Sequence, residues 1–323
     1  MNEIKQQFRI LVTSLSAKVP LLTMLRTSFA NANIPLFIYG ADSDPECLGQ
    51  HFVDRFWAMP KISELTASEL ISFCKTHALH AVIPTRDGDL SFFARYREEF
   101  SAAGIFVLVS SLEGIESCYD KLAFHHAVPE YSIPTETNLD CLPGTSFVVK
   151  ERYGSGSRGI LLQATKQAAR KYVDRLQSPV FQPWVDGQEY SVDLYLLRNG
   201  KALGTIARSR DLIANGEAQI STTVSNPVLE ETCLDIAQSL KLSGHLVIQA
   251  IIDNEQKIHI IECNCRFGGA STLSIAAGLR SPLWLYCEAC GIDPQNYPFV
   301  RSQVKLRLLR HATDHLIEME SHQ

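Results

Sequence analysis

A chain of 323 residues, 46% hydrophobic and 20% charged, holds enough apolar material for a sizeable core and leaves little room for long disorder. Its net charge of −5, with no basic block and no basic stripe laced with aromatics, excludes the usual footprint of a nucleic-acid or anionic-membrane binder. No apolar run approaches the ~18 residues of a membrane span, the opening MNEIKQQFRILVTSL lacks the features of a signal peptide, and nine scattered cysteines fit a reduced cytoplasm better than a disulfide framework.

The first ~110 residues alternate strands and helices. FRILVTSL reads as a strand and VPLLTMLRTSFANAN as an amphipathic helix ending in Asn. PLFIYGAD is the next strand, a helix follows around Glu64–His77, and HAVIPT is a strand again. LSFFARYREEFSAAG is predicted as a helix stopped by Gly104, and IFVLVS as a further strand. This alternation predicts a parallel, doubly wound sheet. Such a sheet places ligands at its strand ends, here TSLSAK and PTRDGD, although both also read as plain connecting loops.

A helix through SCYDKLAFHHAV opens a different region. Beyond it, SFVVKERYGSGSRGILLQ, EYSVDLYLLRNGKALGTIARS and HLVIQAIIDNEQKIHIIECN each read as two strands about a turn, which predicts antiparallel sheets. Helices are predicted around Lys166–Gln177, Leu229–Leu242 and after Gly269. The change of pattern places a boundary near residue 112, dividing a parallel α/β domain (1–112) from a second domain (113–323). The second splits into a small lobe, about 113–185, and a large lobe, about 186–323.

Three stretches offer chemistry. GSGSRG, Gly154–Gly159, spells G-x-G-x-x-G, but a strand follows it instead of the helix that a dinucleotide fingerprint requires. The glycines therefore tip a hairpin, either an exposed turn or a lid over phosphates, with Lys150 within reach. In HIIECNCRFGG, the two-residue period of a strand puts Glu262, Asn264 and Arg266 on one face and Cys263 and Cys265 on the other. A symmetric turn through DNEQ sets Ile252 opposite Lys257 and makes Gln249 the diagonal neighbour of Glu262. One carboxylate and two amides then converge as hard oxygen ligands suited to Mg²⁺, and Arg266 offers a planar fork to phosphate. In VFQPWVDGQEYSVDLY, an apolar run and a glycine turn precede Glu189. It reads as an ordinary loop or as a segment between lobes that meets a flat base beside Trp184 or Val185. Cys263/Cys265 and Cys287/Cys290 read as buried thiols rather than a zinc site, and the ten histidines as structural.

In their order and spacing these stretches resemble the ATP-grasp superfamily over nearly the whole chain, and among its members the single-chain proteins of the carbamoyl-phosphate synthase large-subunit type. YDKLAFH resembles the segment with the first phosphate-contacting lysine, here Lys121. FVVKERYGSGSRGI resembles the lysine-plus-glycine hairpin. The resemblance implies that Lys150, with Gly154, Ser155 and Gly156, meets the nucleotide, that Gln182, Trp184 and Val185 lie at adenine, and that Glu189 holds the ribose. It implies Gln249, Glu262 and Asn264 as magnesium ligands, Mn²⁺ being an alternative ion, and Arg266 as a phosphate clamp. Arg210, six residues before Gly216-Glu217, is the expected substrate-facing cation, with Arg208 its competitor. Two positions depart from the family pattern: Gln182 stands where Glu is common, and Cys265 where Pro is usual. The implied activity is an ATP- and Mg²⁺-dependent ligase that activates a small-molecule carboxylate as an acyl phosphate for attack by an amine or similar nucleophile. The alternatives are an ATP-binding protein of the same fold with a regulatory or incomplete catalytic role, and an NAD(P)-dependent oxidoreductase built on the parallel sheet. Homo-oligomerisation stays open.

Overall fold

The computed structural model describes residues 7–16, 18–154, 156 and 159–317; Ser155 lies outside them. The N-terminal elements are β1 (Phe8–Thr13), α1 (Val19–Asn31), β2 (Leu36–Asp42), β3 (Arg55–Ala58), α2 (Ala67–Thr76), β4 (Ala81–Pro84), α3 (Asp87–Arg95), α4 (Arg97–Ala102) and β5 (Phe106–Val107). The five strands are all parallel, in the order β3-β2-β1-β4-β5. The order reverses between β1 and β4, which opens a crevice at their C-terminal ends. Thr85 closes its base, its hydroxyl donating to the carbonyls of Thr13 and Ser14 at 2.8 Å each. The helix expected across residues 90–104 is two helices, broken at Tyr96, and edge strand β3 escaped the sequence reading.

The expected single helix through SCYDKLAFHHAV is also two: α5 (Leu112–Tyr119) and α6 (Lys121–Ala127). Asp120 divides them. Its extended backbone ends α5, and its carboxylate accepts from the N–H groups of Leu122 and Ala123, capping α6. β6 (Phe147–Glu151), β7 (Leu161–Ala164), α7 (Lys166–Tyr172) and β8 (Pro179–Pro183) form a small lobe with an antiparallel sheet ordered β7-β6-β8. The lobe has its own core of Leu139, Leu142, Phe147, Val149, Ala164, Ala169 and Phe181. Its glycine stretch joins β6 to β7, so no helix begins among its described residues and the dinucleotide reading loses its basis.

The large lobe contains β9 (Gly187–Leu196), β10 (Ala202–Ala214), β11 (Glu217–Val224), α8 (Pro227–Ser239), β12 (Gly244–Asp253), β13 (Ile258–Asn264), α9 (Ser271–Ala276), α10 (Ser281–Cys290) and β14 (Arg307–Leu309). Its six strands run in the order β13-β12-β9-β10-β11-β14, and every pairing is antiparallel. Side chains from the parallel sheet and from this sheet share both of the larger hydrophobic cores, so these two parts are fused while the small lobe packs by itself.

The β12–β13 register differs from the symmetric turn. The Asp253 carboxylate accepts from the N–H groups of Glu255 and Lys257 at 2.9 Å, and Gln256 turns to φ 65°. A three-residue loop results, and Ile252 pairs with Ile258 instead of Lys257. A bulge at Ile261 then brings Gln249 directly opposite Glu262 rather than diagonal to it.

The sheet is pinned by a buried carboxylate. Asp193 on β9 accepts from Arg208 Nε at 2.8 Å and Ser274 Oγ at 2.8 Å, bonds to Ser271, and lies 3.2 Å from His245 Nε2. Burial pushes its carboxyl upward, but Arg208, His245 and the hydroxyls together hold it well below the usual carboxylate range. Arg208 is itself only 2% exposed. Arg208→Met keeps the stem but strands a buried charge. It is expected to lower the unfolding free energy by roughly 3–5 kcal/mol, read from urea denaturation.

Candidate active site

One cleft runs between the small lobe and the six-stranded sheet and opens onto the crevice of the parallel sheet. Its wall on the small lobe carries Val148, Ile160 and Leu162, and the facing sheet supplies Ile251 and Ile261, with Ile133 beside them. These side chains make an apolar slot of the kind a flat ring fills. The bulge contributes directly, because it turns the consecutive residues Ile261 and Glu262 toward the cleft. At the edge of the slot stand Gln182, Trp184 and Val185. The Gln182 amide donates to Thr135 Oγ1 at 2.8 Å and is buried, so its side chain is spent on the protein. The Val185 backbone has no hydrogen-bond partner among the described residues.

Beyond the slot the cleft becomes charged. Lys18, Lys121, Lys150, Arg208, Arg210 and Arg266 line it, against Glu151, Glu189, Glu217 and Glu262. Lys150, on β6, is 6% exposed; burial lowers its ammonium to about 8 against the pull of Glu262. Lys18 follows β1 and is likewise lowered to about 8, by burial first and Arg266 second. Lys121 donates to the Gly154 carbonyl at 2.8 Å, tying the start of α6 to the glycine loop. Asp120 adds a second tie through Arg152 Nε at 2.7 Å. Gly154 and Gly156 take φ values of 127° and 72°, which side-chain-bearing residues rarely adopt, so glycine is required at the tip.

Gln249, Glu262 and Asn264 converge as expected. Glu262 Oε1 accepts from Gln249 Nε2 at 3.1 Å and from Asn264 Nδ2 at 2.9 Å. A half-turn of each amide would present three oxygens in place of one carboxylate and two NH₂ groups, a hard donor set that fits Mg²⁺. Arg266 leaves the same strand end and donates to Asp87 at 2.6 Å and to the Asn264 amide oxygen at 3.3 Å. Its Nε is buried without a partner.

Arg208 and Arg210 share a face of β10 and both reach the cleft. Their partners differ. Arg208 is committed to Asp193, whereas Arg210 lies 3.1 Å from Glu189 Oε2 and donates to the Gly216 carbonyl at 3.0 Å. Arg210 Nε stays within ion-pair distance of that carboxylate without meeting hydrogen-bond geometry among the described residues.

The sequence reading missed Lys18, Asp87, Glu217 and Arg310. Lys18 and Asp87 fall within the two strand ends already singled out, TSLSAK and PTRDGD. Arg310 bonds to Glu217 and to the Gly269 carbonyl, so a side chain at Gly269 would meet its guanidinium at 3.2 Å. Cys263 and Cys265 face away from the amide–carboxylate group and are buried, as is Cys287, while Cys290 is exposed.

Residues 175–312 match the family described as "ATP-grasp in the biosynthetic pathway with Ter operon", and residues 10–108 match the PylC-like N-terminal domain. Residues 175–312 thus match an ATP-grasp domain. A phosphoribosylamine–glycine ligase from Synechocystis sp. is 22% identical over 259 residues, covering 69% of this chain and 61% of the relative. The chain spans less than two thirds of the length of the curated relatives it matches. The biotin carboxylase domain of a 2-oxoglutarate carboxylase from Hydrogenobacter thermophilus, solved with MgADP, ADP and bicarbonate, has a TM-score of 0.70 at 13% identity, over 88% of this chain and 69% of that one. An L-amino acid ligase from Bacillus licheniformis has a TM-score of 0.67 at 12% identity, over 88% and 74%. These likenesses establish the ATP-grasp fold: a parallel N-terminal domain followed by two lobes built on antiparallel sheets.

Burying the charged Lys150 in this ATP-grasp cleft opposes folding. Its folded value of about 8 lies below the unfolded 10.5, so the unfolded chain binds more protons between them, and the penalty at pH 7 is about 3 kcal/mol, fading as pH rises toward 10.5. Lys150→Met is therefore expected to raise the urea midpoint at pH 7, with the gain shrinking by pH 10. The same variant is expected to weaken ATP·Mg binding by roughly 1.5–3 kcal/mol, measured by calorimetry.

Proposed function

We propose that this ATP-grasp protein is an ATP- and Mg²⁺-dependent ligase that activates a small-molecule carboxylate for attack by an amine or similar nucleophile. The observation that carries the reading is the Gln249–Glu262–Asn264 group, which sits in one cleft with a buried lysine and a glycine-tipped hairpin beside an apolar slot. The names of the relatives support it, since two are ligases and one solved relative holds MgADP. Within the superfamily, the lysine-and-glycine hairpin and the E-x-N-x-R strand favour the carbamoyl-phosphate synthase large-subunit type. Nine free cysteines favour a reduced, cytoplasmic setting.

In this reading the slot takes adenine, the free Val185 backbone meets its edge, and Glu189 meets the ribose. Lys121 and Lys150 hold phosphate oxygens, and the loop around Gly154 and Gly156 covers them and excludes water. Gln249, Glu262 and Asn264 would hold Mg²⁺, which supplies charge neutralisation on the transferred phosphoryl group. Arg266, oriented by Asp87, directs its guanidinium to the same charge. The step itself is attack of a carboxylate oxygen on the γ-phosphorus with loss of ADP, followed by attack of the nucleophile on the acyl carbon with loss of phosphate. A carboxylate resists such attack until one of its oxygens becomes a phosphate leaving group. Arg210 is the cation that aligns the carboxylate, because it lines the cleft and pairs with a half-buried glutamate that a substrate carboxylate could replace, whereas Arg208 is occupied by the buried Asp193.

Two outcomes test the reading. In a screen of carboxylate and amine pools for ADP release, Glu262→Ala is expected to remove divalent-dependent turnover while the far-ultraviolet circular dichroism stays native. Retained Mg²⁺-dependent turnover in that variant would sink the ligand assignment. With the substrate that the screen returns, Arg210→Lys is expected to lose at least tenfold in hydroxamate trapped by hydroxylamine while ATP affinity stays within about threefold, since lysine keeps the charge but not the fork. Normal trapping would take Arg210 out of substrate alignment.

A further inference from the structure

Directly behind the amide–carboxylate group, on the opposite face of the same strand, three thiols meet. Cys263 and Cys265 come from the end of β13, and Cys118 reaches them from α5. Their sulfur atoms all lie within 4.8 Å of one another, and the three residues are 8%, 4% and 5% exposed in the order Cys118, Cys263, Cys265. Among the described residues they are the only such cluster of histidine, cysteine and acidic side chains. Neither spacing nor motif links Cys118 to the other two; 145 residues separate Cys118 from Cys263.

We propose that Cys118, Cys263 and Cys265 form a three-thiolate site for a single Zn²⁺ ion. The geometry is close to what one ion needs. Zinc–sulfur bonds of about 2.3 Å place the sulfurs of a trigonal or tetrahedral centre about 3.8–4.0 Å apart, so the cluster closes with less than ~1 Å of contraction. The fourth position has room. The thiols line a small cavity together with Asp87, Glu262 and Asn264, which offers water a place among polar partners. Charge is tolerable there: Zn²⁺ displaces three thiol protons, the centre carries a net −1, and Lys121 lines the same cavity. The cavity they border is mixed, with Leu90 and Ile115 beside Asp87, Glu262 and Asn264. A bound ion would fasten α5 to β13, and thereby the Asp120–Lys121 segment to the strand carrying Glu262 and Asn264. Glu262, Asn264 and Lys121 border the same cavity, but the ligands proposed here are the three thiols alone and the test needs no substrate.

The test uses the full chain, reduced and stripped with chelator, titrated with Co²⁺ as a spectroscopic stand-in for zinc. One equivalent is expected to produce a thiolate-to-cobalt charge-transfer band with the intense visible bands of a tetrahedral centre. Zn²⁺ should then erase them and raise Tm. Cys118→Ser and Cys265→Ser are expected to lose the charge-transfer band, while Cys141→Ser and Cys290→Ser, at exposed positions, keep it. A folded wild-type protein that gives no such band overturns the proposal, as does a band that survives both Cys118→Ser and Cys265→Ser. Should either variant fail to fold, mass spectrometry of alkylated wild-type protein decides. Zn²⁺ is expected to protect Cys118, Cys263 and Cys265 from alkylation, and labelling unchanged by the ion refutes the site. Isolation of the chain with Cys118 in a disulfide, together with no cobalt band after reduction, would reassign the cluster as a redox pair.

Discussion

The structure depends on one buried carboxylate. Asp193 has no solvent of its own, so every lone pair it offers must be met by protein. Arg208 meets it from β10, His245 from β12, and Ser271 and Ser274 from the helix that follows RFGG. Four chain segments are thereby held at one point, and the segment that carries Asn264 and Arg266 toward the cleft is fixed between two of them. The same anchorage separates two arginines that look equivalent in sequence. Arg208 is bound to the buried Asp193, and Arg210 pairs among the described residues with the half-buried Glu189 and the Gly216 carbonyl.

The cleft shows the opposite balance. Lys18 and Lys150 are ammonium groups drawn out of water with no ion pair among the described residues, and burial lowers both to about 8. A protein under selection for stability alone would replace them with apolar side chains of similar length. Their retention is understandable if an anion fills the cleft, because a bound polyphosphate would return the electrostatic energy lost on desolvation. Stability and ligand affinity therefore pull in opposite directions at Lys150.

The packing says which parts can move. The parallel sheet and the six-stranded sheet share continuous cores, whereas the sheet of the small lobe closes its own core; isolated bridges join Asp120 to Tyr153 and Glu136 to Phe181 at its edge, and Ser132 to Ile260 of the large lobe. The Lys121–Gly154 contact and the Asp120–Arg152 pair span the same junction. These are polar, replaceable contacts at the mouth of the cleft. A lobe joined in this way is suited to admit a nucleotide and close over it.

Much of this was legible in the residues alone. Strand–helix alternation implied the parallel sheet, the three hairpins followed from β-rich pairs about turns, and the two-residue period put Glu262, Asn264 and Arg266 on one side of β13. These features are local, set by periodicity and turn chemistry within a dozen residues. Only the tertiary structure decided the rest. The register beside Gln249 turned on the Asp253 loop and a bulge at Ile261, both of which depend on neighbouring strands. Lys18 and Asp87 joined the cleft only because the parallel sheet docks against the large lobe. Arg208 and Arg210 took different partners because Asp193 lies beneath one and not the other. Cys118 met Cys263 and Cys265 only through the packing of α5 on β13. Periodicity assigns a side chain to a face, but the partner it meets there comes from distant chain, and no local pattern carries that information.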